Sequence, residues 1–170
     1  MGVAGSGKTV IGRRLAERLD CDFLEGDRRH PWPNIIKMHS QQPLQDEDRH
    51  QWLVEIEADI QRAVDRNREI VITCSALKAS YREQLIAPGR VQLVWLKVPK
   101  RELEQRLARR LSHYMQPEML ESQLTTFEPI HPAENVITVD GLLPPAEIIH
   151  ELLKHIITLF PNMEKVWWQR

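Results

Sequence analysis

Eight residues at the start of the chain leave little choice of fold. Gly2, Val3, Ala4, Gly5, Ser6, Gly7, Lys8 and Thr9 match the pattern G-x-x-x-x-G-K-[ST] at every fixed position. Glycines let such a loop turn its backbone N–H groups inward around phosphate oxygens. The apolar residues Ile11, Leu15 and Leu19 recur one turn apart, so a helix is expected over 8–19. Its positive end would face the same anion. Lys8 is placed to reach the β- and γ-phosphates, and the Thr9 hydroxyl suits Mg²⁺, a hard ion that prefers oxygen. ATP and Mg²⁺ are the expected cofactors. A chance glycine turn would not run in register into a helical pattern.

The rest of the chain alternates strands with helices. Strands are expected at 22–24, 69–74, 91–98 and 135–139, the second containing a β-branched run. The clearest helix spans 46–66, where Trp52, Ile56, Ile60 and Val64 recur every four residues. Further helices are expected over 34–40, 77–87, onward from Pro99, over 118–126, and from Pro144 and Pro145 to about 160. Pro31 and Pro33 are expected to break structure. This order predicts an α/β fold of three layers, a P-loop NTPase fold with a parallel sheet flanked by helices. With 170 residues the chain is one domain's worth, assigned to 1–160. A tail over 161–170 carries Trp167 and Trp168, either docked on their own domain or forming an exposed patch.

Composition removes several function classes. Basic and acidic residues nearly cancel, to a net charge of -1, so no nucleic-acid partner is expected. The two cysteines, Cys21 and Cys74, lie far apart, with no metal-ligand spacing, and a cytoplasmic setting is expected. No membrane association is expected either, because no apolar run approaches the roughly 18 residues a span needs.

The loop names a nucleotide but not a reaction. A guanine-reading N-K-x-D run is absent, and the strands at 69–74 and 91–98 do not end in a carboxylate. The early carboxylate is Asp27, just after the first predicted strand. That position suits a small-molecule kinase, with Asp27 facing both the acceptor hydroxyl, as general base, and the metal. A turn-forming Gly-Asp pair is the alternative.

The residues around Asp27 carry a resemblance. Phe23, Leu24, Glu25, Gly26 and Asp27 are followed by His30-Pro31, Asn34-Ile35, Lys37-Met38, Pro43-Leu44, Asp46, Asp48-Arg49 and Trp52-Leu53. Ser75, Ala76, Leu77 and Lys78, then Tyr81-Arg82, Arg106-Leu107, His113, Gln123 and Glu128-Pro129 continue the series. In this order, from Gly2 to about Pro129, the set resembles the gluconokinases. The resemblance implies ATP and D-gluconate as substrates, 6-phosphogluconate and ADP as products, Mg²⁺, and a homodimer. It also implies an acceptor-binding region over about 27–53 and a mobile lid over about 109–118. Asp27, His30, Asn34, Lys37, Arg49, Arg82 and His113 are then the substrate-binding candidates. A guanidinium grips a carboxylate bidentately, which favours Arg49 and Arg82 for the acid end. His30 reads equally as a capping residue. Lys8, Asp27, Arg106 and Arg110 are the catalytic candidates, the two arginines meeting the transferring phosphoryl group if they are not a solvated helix end.

The sequence departs from the family at a few positions. Glu25, Gln41 and Gln51 stand where Asp, Gly and Pro are usual, and Ser112 replaces the lid glycine. Family members also carry an apolar strand before the loop, and here only residues 1–3 stand in its place. The fold is therefore expected with its first strand largely missing, less stable and with weakened ATP binding. A kinase for another sugar acid or small polyol, or a catalytically impaired nucleotide-binding homologue, are the alternatives.

Overall fold

Helix α1 (Lys8–Leu19) begins where the glycine loop ends, with Gly7 as its N-cap. The chain then forms β1 (Asp22–Glu25), a 3-10 turn (Gly26–Arg29), α2 (Trp32–His39), α3 (Asp46–Asp65), β2 (Ile70–Thr73) and α4 (Ala79–Ile86). It continues through β3 (Val94–Lys97), α5 (Lys100–Ala108), α6 (Pro117–Thr126), β4 (Ile137–Asp140) and α7 (Pro145–Leu159). The structure, a computed structural model, describes residues 1–109 and 117–164. Arg110, His113, most of the expected lid, and the tryptophans Trp167 and Trp168 lie outside the described residues.

Most elements fall where periodicity puts them. Two differ. The 31–33 stretch does not break the chain: α2 starts at Trp32, with Pro33 in its first turn. The first turn is where proline is tolerated, since its missing N–H would have no partner there. The third strand is half its expected length, because only 94–97 has a partner strand at 137–140.

The strands form two parallel pairs, β1 with β2 and β3 with β4. Among the described residues no ladder joins β2 to β3. Residues 1–3 run between the pairs instead. The Met1 N–H group donates to Val94 O, and Met1 O accepts from Leu96 N at 3.1 Å, one rung of a parallel ladder. On the other side Gly2 N donates to Ser75 O at 3.2 Å, just past β2. Residues 1–3 thus form a short bridge between the two pairs.

Alternation along β2 sets the layers. Val71 packs with Ile11, Leu15, Ile148 and Leu152, on α1 and α7. Its neighbour Ile72 points the other way, onto Trp52, Ile56, Tyr81 and Leu85 of α3 and α4. A third cluster joins Val3 of the loop to Leu77, Leu103, Leu107 and Leu120, so α5 and α6 close over the loop's base. No described helix is long and apolar enough to cross a membrane.

Candidate active site

The N-terminus of α1 is left open to an anion. Gly7 adopts the left-handed conformation (φ +96°), no side chain caps the helix, and its first turn carries no acidic residue. By contrast α3 begins with Asp46, Glu47 and Asp48, and Asp48 Oδ2 accepts from Gln45 N at 2.9 Å. A carboxylate in the first turn of α1 would compete with phosphate for the same N–H groups and the same dipole. A Cβ on Gly7 would meet nothing within 4 Å, so the loop faces open space there. Ser6 is buried, and its Oγ, beside Gly2, has no hydrogen-bond partner among the described residues. A buried hydroxyl left so costs about 1–3 kcal/mol, and a phosphate oxygen would satisfy it. Lys8 Nζ donates to Val3 O at 3.1 Å, curled over the loop. The Ala4 N–H is held by Gln123 Oε1 of α6 at 2.7 Å. These features fit a nucleotide's phosphates.

Asp27 is exposed and clamped on both sides. Gly26 before it is buried against β2, where an added Cβ would lie 2.2 Å from Thr73 O. Only glycine permits that approach. Trp52 Nε1 donates to Gly26 O at 2.8 Å. After Asp27, Arg29 grips Asp59 of α3 through Nε–Oδ2 at 2.6 Å and Nη2–Oδ1 at 3.0 Å. His30 stacks on Trp52, ring centroids 4.5 Å apart and nearly parallel. Burial, then the nearby Arg49, lowers the His30 pKa from 6.5 to about 4, so the ring is neutral at pH 7. Glu25 accepts from Thr73 Oγ1, which locks the end of β1 to β2.

These groups meet in one cleft of ≈ 110 Å³. Its walls include Ala4, Gly5, Gly7, Lys8 and Thr9 of the loop together with Asp27, His30 and Arg49. A larger cleft of ≈ 550 Å³ lies alongside rather than over the loop. The two share Leu44, Arg49 and Ser122, so they form one groove running away from the phosphate end. Ser75 and Leu77 also line the inner cleft. Neighbouring Cys74 is buried, its thiol pushed up to about 12, and it stays protonated.

Four sequence candidates are not brought to this groove. Arg82 is a correction: it is 1% exposed and all its N–H groups point into the protein. Nε and Nη2 grip Glu134, Nη1 serves the carbonyls of Ala76, Leu77 and Glu128, and Nη2 also serves Pro129 O. The guanidinium braces the turn that lines the cleft and has no donor left for a substrate. Asn34 is buried, its Nδ2 donating to Asp48 O at 2.6 Å. Lys37 Nζ donates to Asp48 Oδ1 at 2.5 Å. Both tie α2 to the start of α3 instead of lining the cleft. Arg106 donates from Nε to Glu102 Oε1 at 2.7 Å and from Nη2 to Gly141 O at 2.8 Å, pinning α5 to the turn after β4. Sequence reasoning did not assign Gln123 to the loop, nor Asp46 and Lys78 to the groove. All three stood in the family-like series, which was the available signal.

Among the described residues no group of three or more His, Cys, Asp or Glu side chains is arranged to hold a metal. Thr9 and Asp27 share the inner cleft, and a Mg²⁺ there would take its remaining oxygens from phosphate and water.

Known proteins resemble the chain along most of its length. A family model described as an AAA domain matches residues 1–130. The gluconokinase of Gluconobacter oxydans is 42% identical over 156 residues, which cover 91% of this chain and 88% of that protein. The crystal structure of a gluconokinase from Sinorhizobium meliloti superposes with a TM-score of 0.83 at 37% identity, covering 96% of this chain and 93% of that one. Shikimate kinase from Acinetobacter baumannii, at 21% identity and a TM-score of 0.58, covers 94% of this chain and 91% of its own and shares the fold alone. An uncapped phosphate loop, a clamped carboxylate beside it and these likenesses agree: the chain belongs to the gluconokinase family of P-loop kinases.

Proposed function

We propose that this protein transfers the γ-phosphoryl group of ATP to a hydroxyl of D-gluconate, giving 6-phosphogluconate and ADP. The observation that carries the reading is that Asp27 and the loop residues Lys8 and Thr9 line one cleft. The α1 N-terminus and the loop N–H groups bind the phosphates, and Lys8 leaves Val3 O to follow the γ-phosphoryl charge. Asp27 accepts the proton of the attacking hydroxyl. A Mg²⁺ held by Thr9 and Asp27 would supply charge neutralisation. His30, neutral and stacked, offers a ring nitrogen to the polyol, and Arg49 lies where the groove widens. Arg110 and His113 keep the lid roles that the family resemblance implies. The homodimer belongs to the same reading, and sedimentation tests it.

Coupled measurement of ADP formation over a panel of sugar acids tests the activity. Gluconate-dependent turnover is expected, with the phosphorus spectrum of the product showing a phosphomonoester. Lys8→Ala and Asp27→Asn are each expected to lower kcat by about 10²–10⁴-fold. Nucleotide binding with no turnover on any sugar acid would instead make the protein an impaired homologue.

A further inference from the structure

Three donors converge on one carboxylate at the wall of the outer cleft. Lys78 Nζ lies 2.5 Å from Asp46 Oδ2, and the Tyr81 hydroxyl donates to Asp46 Oδ1. Arg49 Nη1 stands 3.8 Å from the same Oδ1. The donors are well held: Arg49 and Tyr81 are buried, and only 26% of the Lys78 side chain is exposed. The carboxylate is not, with 53% of the Asp46 side chain exposed. Burial raises the Tyr81 pKa, so its hydroxyl stays a donor. The hydrogen bonds from Lys78 and Tyr81 lower the Asp46 pKa, which keeps it ionised. The other acid on this cleft, Glu121, is occupied by Lys100 at 2.5 Å.

The position of this cluster gives it a use. Arg49 belongs to both clefts, whereas Asp46 and Lys78 line only the outer one. A sugar acid that presents a hydroxyl to Asp27 brings its own negative charge. Repulsion by the ATP phosphates drives the acid end away from the loop, along the groove. The first cations it meets there are Arg49 and Lys78.

We propose that Lys78, beside Arg49, forms the acid-end subsite that lets the groove choose a sugar acid over the uncharged polyol. Asp46, fixed by the Tyr81 hydroxyl, holds Lys78 in place, and the substrate carboxylate meets Lys78 and Arg49 from the cleft side. This rests on the sugar-acid reading above and adds the group that reads the acid.

Steady-state kinetics of wild type, Lys78→Met and Lys78→Arg test it, with gluconate and with the uncharged six-carbon polyol of the same chain length. Lys78→Met is expected to raise the KM for gluconate tenfold or more while leaving the KM for ATP and turnover of the polyol within twofold. Lys78→Arg is expected to restore at least half of the preference. Thermal melting of both variants within a few degrees of wild type shows that the fold persists. An unchanged gluconate KM in Lys78→Met, or parallel losses on acid and polyol, overturns the subsite while the kinase reading stands. Absence of wild-type turnover on every sugar acid overturns both.

Discussion

Replacing Arg82 with methionine separates a structural arginine from a substrate-binding one. The change keeps much of the apolar stem and removes the guanidinium. Glu134 then loses its partner, and the carbonyls of Ala76, Leu77, Glu128 and Pro129 lose their donor in a site where Arg82 was 1% exposed. Removing one partner of a buried ion pair costs about 3–5 kcal/mol. For a chain of 170 residues that corresponds to a fall in Tm of about 6–20 °C. Thermal and urea melts of wild type and Arg82→Met measure it, with gluconate KM determined below the transition. Glu134→Gln alone should destabilise by less, and the double variant should show coupling of at least about 1 kcal/mol. Glu134 adds a pH signature. Arg82 holds its carboxyl below the usual carboxylate value, so the stabilisation is present above that value and is lost as pH falls through the lowered one. A variant that melts within 2 °C of wild type but shows a gluconate KM raised tenfold would refute the structural assignment and restore Arg82 to the substrate.

Three further outcomes follow from the site. Gly26→Ala places a Cβ against Thr73 O and 3.2 Å from Ile56 Cδ1; it should cost about 1–3 kcal/mol in urea melts and lower kcat by shifting Asp27. His30 binds a proton in the unfolded chain below pH 6.5 but in the folded protein only near pH 4, so stability should decline as pH falls across that window, by about 3 kcal/mol at most. His30→Gln should flatten that slope in melts recorded from pH 4 to 7. Gln123→Leu leaves the Ala4 N–H without its acceptor, and ATP KM should rise about tenfold with gluconate KM unchanged.

The parts legible in the sequence were those that depend on neighbours along the chain. Helix α1 begins and ends where the pattern puts it, and α3 differs by one residue, because both carry an unbroken apolar face. The phosphate loop was legible as eight contiguous residues, and Asp27 because it closes a strand. What escaped depends on partners far away in sequence. Arg49 and Arg82 look alike as arginines on helices, and what makes Arg82 structural is largely distant in sequence: Glu134 and the carbonyls of Glu128 and Pro129. Asn34 and Lys37 were attractive as polar groups after Asp27, but both donate to Asp48 at the start of α3. The length of β3 was overread because a strand ends where its partner does, and β4 begins only at Ile137. The convergence on Asp46 joins residues from two helices, and no periodicity links 46 to 78 and 81.

The bridge formed by residues 1–3 makes the sheet a listener to the nucleotide. The Leu96 amide is bonded to Met1 O, one residue before the glycine loop begins. Whatever holds the loop still also holds that rung shut. Slow deuterium uptake at Leu96 would therefore track occupancy of the phosphate site, although Leu96 itself packs into the core beneath α1 and α7. Amides in the β1–β2 ladder, which donate to carbonyls of the partner strand instead, provide the internal reference. A single protected backbone position could then report ligand binding without a label in the active site.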